Sequence, residues 1–330
     1  MQILDKMFFK KNYTIQLKNK NIENNFVLNE KKLSHCCFCN SIKLINCKIE
    51  NTQNRLQKQW TAEGFKSVWS FCENCGLVLQ TNRPCDATFK NFYENSFYRT
   101  ANSVLTIQDA WINYSKIQFD RFKPFLNITK TKFDKKSGTV LDFGCGLGLS
   151  LHSFRKNKWQ CFGVEVDAAL SDFAAKHGGL TMISNLDAIE KEKFDIIFSH
   201  HSLEHMSNPY NFIQFVGRCL KPDGFCLIAT PTWRYGYSKN ILNAFSLTDS
   251  IVADHSSLNF AFRGVGLGVT SFMYQHISDG GDWEFAALIK KTKDSLETEP
   301  ATFTEFQKTM ARVLNNRESL KKMTFVLNGN

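Results

Sequence analysis

Between residues 139 and 289 the hydrophobic positions of this chain come in short unbroken runs, at 139–143, 161–166, 180–183, 194–199 and 225–230, separated by segments of helical period. Continuous apolar runs of that length suit strands buried on both faces. Their alternation with helices gives βαβ units and a parallel sheet. Two later runs, 269–275 and 284–289, flank Gly280-Gly281-Asp282, a hairpin-like turn, so this last pair is expected to be antiparallel. The pattern predicts an open, doubly wound α/β sheet of seven strands whose last strand is antiparallel.

Outside that region the pattern is different. The first thirty-odd residues are rich in Asn and Lys, with one alternating stretch, 13–17, that reads as a strand. Residues 34–85 hold few helix signals. From 102 to 126 a helical period returns, with Ile107, Trp111, Tyr114, Phe122 and Phe125 near one face, and a basic linker, 129–138, follows. Thr302 and Glu305 form a capping-box pattern ahead of Phe303, Phe306, Met310 and Val313, which share one helical face.

Composition narrows the class. Of the 330 residues 43% are hydrophobic, as in an ordinary globular protein, and no stretch approaches the roughly 18 apolar residues of a membrane span. Residues 1–20 are basic and aromatic without the apolar centre of a signal peptide, so a cytoplasmic protein is expected. The net charge of +10 is uneven: residues 1–135 carry 21 Lys and Arg against 11 Asp and Glu, and the remainder 20 against 20. Such asymmetry suits an anionic partner, and equally a chain whose exposed positions simply favour Lys and Asn.

The 11 cysteines do not read as a disulfide set. Cys36-Cys37-Phe38-Cys39 and Cys72-Glu73-Asn74-Cys75 each contain a C-x-x-C pair, and four thiolates in two such knuckles satisfy tetrahedral zinc. The expected ligands are Cys36, Cys39, Cys72 and Cys75, with Cys37 and Cys47 as possible substitutes. A fifty-residue segment with little apolar periodicity needs a staple of this kind to fold.

The strongest motif is Val140-Leu141-Asp142-Phe143-Gly144-Cys145-Gly146-Leu147-Gly148, a strand running into D-x-G-x-G-x-G and then a helix. Glycines let the backbone turn sharply and approach a ligand, and the helix start behind them offers free N–H groups. Seventeen residues on, the next strand ends in Gly163-Val164-Glu165, where an acid can accept both hydroxyls of a ribose. The fourth strand runs into His200-His201-Ser202-Leu203-Glu204-His205, and Leu220-Lys221-Pro222-Asp223-Gly224 forms a turn before the fifth.

D-x-G-C-G-x-G, G-V-E, F-D-I-I-x-x-x-x-x-L-E-H and L-K-P-D-G, in this order and spacing, resemble the class I S-adenosylmethionine-dependent methyltransferases over 139–289. The resemblance implies a Rossmann-like fold, with S-adenosylmethionine as cofactor. It places Asp142, Gly144, Cys145, Gly146 and Gly148 around the methionine part, Glu165 on the ribose, Val166 beside the adenine, and Asn185 and Leu186 at the adenine edge. His200 and His201 would face the methyl group, His200 also as a cofactor contact. An activated sulfonium needs alignment more than covalent help, and a histidine can serve as base if the acceptor is a hydroxyl. His200 and His201 are therefore the catalytic candidates, while His205 is expected to pack and hydrogen-bond at the start of the next helix. Three look-alikes do not fit. Ser207-Asn208-Pro209-Tyr210 lacks a proline of the N-P-P-Y motif of amino-methylating DNA enzymes. Pro84-Cys85 lies before the cofactor loop. Cys145 reads as a small residue packed beneath the ligand rather than a nucleophile.

The two C-x-x-C pairs, followed by Cys75-Gly76, Pro84, Phe92-Tyr93 and Tyr98, resemble bacterial sugar- and surface-polysaccharide-type methyltransferases with an N-terminal zinc-binding domain, over 36–98. Some members C-methylate nucleotide-linked deoxysugars. Asn40 stands where a glycine is usual. The expected organisation is an extension at 1–33, a zinc-ribbon-like module at 34–98, a helical linker covering the cofactor site at 99–135, the methyltransferase domain at 136–293 and a helical tail at 294–330. The acceptor is expected to be a sugar, nucleotide sugar or other small or glycan molecule. Trp233, Arg234 and Tyr235 would overhang the methyl group, Arg234 reading a phosphate, with Tyr93 and Tyr98 closing the other side. For Trp233 and Tyr235 the competing expectation is that they fill a hydrophobic seam with the N-terminal helix. The alternative function is an RNA methyltransferase that grips RNA with its basic zinc module.

Overall fold

The computed structural model describes residues 29–47, 67–94, 106–113, 136–234, 249–276, 283–291 and 299–315. The strand expected at 13–17, the Gly280–Asp282 turn, and Tyr98, Tyr114, Phe122, Phe125 and Tyr235 lie outside the described residues, as do the linker residues 129–135.

β1 (Glu30–Lys32), β2 (Leu44–Asn46), β3 (Val68–Cys72) and β4 (Val78–Pro84) form a small antiparallel sheet in the order β1-β4-β3-β2. Strands this short bury little on their own. The cysteine knuckles lie in the β1–β2 segment and at the β3–β4 turn, where Cys72 and Cys75 are fully buried. α1 (Asp86–Glu94) follows and buries Phe89 and Phe92.

The large sheet is built from β5 (Thr139–Phe143), β6 (Gln160–Val164), β7 (Thr181–Met182), β8 (Phe194–His200) and β9 (Leu220–Pro231). Their helices are α2 (His152–Lys156), α3 (Ala168–Phe173) and α4 (Pro209–Cys219). β10 (Ile251–Val252) leaves this sheet and pairs antiparallel with β4, Ile251 opposite Leu79 and Val252 opposite Val78. α5 (His255–Arg263), β11 (Gly268–His276) and β12 (Trp283–Lys290) complete the sheet in the order β11-β12-β9-β8-β5-β6-β7. β5 to β9 are mutually parallel, and β12 runs against both its neighbours, so the seven-stranded sheet with its antiparallel last strand is as the apolar runs predict. β9 starts earlier than expected. Residues 221–224 enter the strand through a register shift, Phe194 pairing with Leu220 and Ile196 with Phe225.

Alternate residues of the strands feed opposite faces. Leu141, Ile197, Cys226 and Ile228 pack with Phe212, Val216, Leu258 and Phe262 of α4 and α5. Val140, Ile196, Phe198 and Leu227 pack with Phe154 of α2 and Trp159. Three helix starts, those of α3, α4 and α5, have a polar cap. Asp167 accepts from the N–H groups of Ala169 and Leu170, Asn208 accepts from Tyr210 ahead of Pro209, and Asp254 and Ser257 form a capping box on α5.

α6 (Phe303–Asn315) opens with the predicted Thr302–Glu305 box: Thr302 N–H donates to Glu305 at 2.8 Å and Glu305 N–H to Thr302 at 3.2 Å. Its Phe306 and Met310 lie against Trp69, Phe71, Val78, Val252 and Trp233, a core made from the small sheet, the segment after β9 and the tail helix. The helical residues 107–113 put Trp111 and Ala110 on Leu147, Leu149 and Leu170, directly behind the glycine turn. Among the described residues no helix is long and apolar enough to cross a membrane.

Candidate active site

The strand order reverses between β5 and β8, and the carboxyl ends of adjacent diverging strands are where an open α/β sheet leaves a crevice. The glycine turn leaves β5 at that point. Gly144, Gly146 and Gly148 have φ of 81°, 53° and 70°, the left-handed region that a side chain disfavours. The N–H groups of Gly144 and Cys145 donate to the Val164 carbonyl at 2.8 and 3.0 Å, tying the turn to β6. A Cβ on Gly144 would lie 2.0 Å from Ser202 Oγ, and one on Gly148 2.8 Å from Leu180 Cδ1. The turn is therefore pressed between the β8 loop and the segment before β7.

Asp142 is buried and accepts a hydrogen bond from Ser150. Burial pushes its carboxyl up to about 7, with the Ser150 bond opposing and Glu165 adding to the shift. Glu165, just past β6, accepts from Gly146 N–H at 2.8 Å and Asp167 N–H at 2.9 Å. Burial raises its carboxyl too, against these two bonds. The acid and the turn are thus one hydrogen-bonded unit. Val166 beside it is 53% exposed, an apolar surface open at the crevice. Asn185 is exposed and accepts from Asp187 N–H, and Leu186 is half-buried against the main core. Cys145 is buried under the turn, near Gly163, and burial raises its thiol well above the ordinary range, which suits packing rather than nucleophilic attack.

His200 ends β8, buried, with its ring stacked on His201 at 4.7 Å and 14°. His201 has φ of 48°, an uncommon conformation for a residue with a side chain, and its N–H donates to the Ala229 carbonyl at 2.9 Å. His201 Nδ1 lies 3.6 Å from Glu204 Oε1. His205 sits in the short turn Leu203–His205, with Nδ1 2.9 Å from Asp249 and Nε2 4.0 Å from Glu204. The Tyr93 ring lies 5.5 Å from that of His205, so α1 does reach this end of the sheet.

The expected acceptor residues divide. Trp233 is 0% exposed, wedged edge-on against Phe71 and Phe306. Its side chain fills a seam between the small sheet and α6, so the helix it meets is the C-terminal one and not the N-terminal one, and it presents no surface to an acceptor. Arg234 is half-buried, its Nε donating to the fully buried Asp254 at 2.7 Å. Burial works against its charge, but the Asp254 carboxylate outweighs this and holds the guanidinium above its usual value. Residues of this region that pattern reading left without a role include Ser150, Ser202 and Asp249. Ser150 and Ser202 follow the two motifs closely and carried no special spacing. Asp249 lies 44 residues beyond His205 and had no local signal.

The four C-x-x-C sulfurs lie within 4.8 Å of one another, Cys36 to Cys75 at 3.6 Å and Cys39 to Cys72 at 3.5 Å. Zinc–sulfur bonds of about 2.3 Å in a tetrahedron put sulfurs about 3.8 Å apart, so the donor set fits that ion. Asn40 and Gly76 close the two knuckles with φ of 57° and 75°, which explains a glycine at one position and accounts for asparagine, tolerant of that region, at the other. Cys47 is buried away from the set, its thiol pushed up to about 12. Neither it nor Cys37 belongs to the cluster.

A family model described as a methyltransferase domain matches residues 116–284. Over 111 residues the chain is 34% identical to the ubiquinone biosynthesis O-methyltransferase of Actinobacillus pleuropneumoniae, covering 30% of this chain and 46% of that one. Over 117 residues it is 29% identical to the chloroplastic tocopherol O-methyltransferase of Arabidopsis thaliana, covering 32% and 34%. The chain spans about half or less of the length of these curated relatives. Among solved structures, geranyl diphosphate C-methyltransferase from Streptomyces coelicolor aligns with a TM-score of 0.42 at 16% identity, covering 51% of this chain and 80% of that one. With its glycine turn, its acid after β6 and its matched family model, the chain belongs to the methyltransferase-domain family, of the class I S-adenosylmethionine-dependent type.

Proposed function

We propose that this protein transfers the methyl group of S-adenosylmethionine to a hydroxyl of a small-molecule acceptor. The observation that carries the reading is the joining of the Gly144–Gly148 turn to Glu165 through the Gly146 N–H, at the carboxyl ends of β5 and β6, with His200 and His201 at the end of β8 beside it. Bound there, S-adenosylmethionine supplies an electrophilic methyl on a sulfonium. Glu165 would accept the ribose hydroxyls, Val166 and Leu186 would flank the adenine, and the turn around Asp142 would hold the methionine end. His201 would take the acceptor's proton. Oxygen as the accepting atom is supported by relatives named as O-methyltransferases. A sugar or nucleotide-linked sugar as the molecule bearing it is supported by the resemblance of the cysteine module to that of sugar-type methyltransferases. A phenol and a sugar share the hydroxyl, so the reading stands on that group. Arg234, with Asp254 fixing its Nε, would bind an acceptor anion through its remaining N–H groups. Cys36, Cys39, Cys72 and Cys75 would hold one structural zinc.

Methyl-labelled S-adenosylmethionine, offered with catechol, a nucleotide-linked deoxyhexose or bulk RNA, tests this. Label in catechol or the sugar is expected, and its position separates the two. Label in RNA alone, or no binding of S-adenosylhomocysteine by calorimetry, would overturn the reading.

A further inference from the structure

Glu204 is 2% exposed, and its two oxygens have different surroundings. Oε2 accepts from the Thr230 hydroxyl, at the end of β9, at 3.0 Å. Oε1 is buried without a hydrogen-bond donor. The charged or titratable neighbours recorded for it among the described residues are two imidazoles, His201 Nδ1 at 3.6 Å and His205 Nε2 at 4.0 Å. A carboxylate oxygen removed from water is costly unless a charged partner answers it. The same oxygen becomes favourable once one of those rings gains a proton.

The loop is built to keep it there. The Glu204 carbonyl accepts from the N–H and hydroxyl of Ser250, whose hydroxyl also reaches the Met206 carbonyl. His201 is held in its left-handed backbone conformation by Ala229, on the strand that also supplies Thr230. His205 has a carboxylate of its own, Asp249, at 2.9 Å.

We propose that Glu204 is a positioning residue for methyl transfer: its Oε1 orients the His201 ring through Nδ1 and stabilises the imidazolium formed when His201 takes the acceptor's proton. The inference rests on the reading of His201 as base. In the step itself the acceptor oxygen forms a bond to the methyl carbon, the methyl–sulfur bond breaks with its electron pair going to sulfur, and the hydroxyl proton moves to His201 Nε2. The ring then carries one positive charge, with Nδ1–H facing Glu204. The proton leaves later to water, and carboxylate and ring return to their starting states. Among the described residues the groups that face this pair include His200 from β8, Thr230 from β9, and His205 with Asp249 behind it.

The test is an NMR pH titration of the full-length protein saturated with S-adenosylhomocysteine, with the His201 signal assigned from a His201→Asn variant. Replacing Glu204 by Gln is expected to lower the His201 proton affinity about tenfold, the effect of losing an opposite charge within 4–6 Å. Asp249→Asn should move His205 far more than His201. If Glu204→Gln does not fold, Glu204→Asp, which keeps the charge but withdraws it by one methylene, should lower the His201 affinity by a smaller, measurable factor. A His201 titration unchanged in the folded variant, with S-adenosylhomocysteine still bound, overturns the proposal while leaving the methyltransferase reading intact. Loss of ligand binding in the wild type would instead remove that reading.

Discussion

Gly146 and Asp142 show how differently single residues serve the crevice. Gly146 combines a φ of 53° with an N–H given to Glu165. Valine, branched at Cβ, is strongly disfavoured in that region, so Gly146→Val must reshape the turn and release Glu165. Calorimetry with S-adenosylhomocysteine should show at least a hundredfold loss of affinity, and unchanged affinity would separate the turn from cofactor binding. Asp142 acts through its burial. Its carboxyl is raised from 3.8 to about 7, so the fold favours the protonated form. The stability this group contributes is fully present below about pH 4, declines as the pH rises towards 7, and is constant beyond. Asp142→Asn is neutral throughout. Its denaturation midpoint relative to wild type should therefore climb between pH 4 and 7 and then level off. A constant difference across that window would mean that the carboxyl is solvated.

At the level of elements, the cysteine module does more than cap one end. Gly76, the residue that closes the second knuckle, packs so closely on Ala301 that a Cβ there would lie 2.9 Å from its backbone nitrogen. β4, the next strand, carries β10, and the neighbouring Ser250 holds the Glu204 carbonyl. A Cys72→Ser/Cys75→Ser double variant should lose its zinc, measured by elemental analysis, and lose methyl transfer at least tenfold, yet bind S-adenosylhomocysteine within about threefold of wild type, because β5, β6 and the glycine turn lie in the other sheet. Equal loss of both would show that the two sheets do not separate in this way. The five parallel strands were legible because each is a continuous apolar run with a helix behind it. The turn and Glu165 were legible because their spacing is local. β10 was not: two residues, Ile251 and Val252, have no periodicity to read, and their partners lie in β4, far back in the chain. The pairings of Glu204 with His201 and of His205 with Asp249 had the same difficulty in part. The first was adjacent but silent about direction, and the second crosses a long gap. Trp233 and Arg234 are neighbours with opposite fates, and an aromatic residue after a strand end carries no mark of which face it will take.

Taken as a whole, the two sheets share the main core, in which Leu77 and Leu79 join Leu141, Ile197 and Phe212, while Trp69, Phe71, Val78, Trp233, Val252, Ala301, Phe306 and Met310 form a second cluster that fastens α6 to the small sheet. Trp233→Ala removes the ring that packs between the small sheet and α6, and should cost about 3–5 kcal/mol, read from denaturant midpoints. Because its ring is buried in the seam, the variant that still folds should keep its acceptor Michaelis constant within about twofold, and a large rise would return Trp233 to the acceptor side. The pairing of β10 with β4 also has a meaning for how the chain is made. Leu79 emerges from the ribosome well before Ile251, its partner about 170 residues further on, a delay of roughly ten to thirty seconds at ordinary rates of synthesis. Through that interval the edge of β4 and the faces of Phe71 and Trp69 have none of their final cover from β10, Trp233 or α6. The small sheet is thus completed only after Ile251, Trp233 and α6 have been made, long after its own four strands.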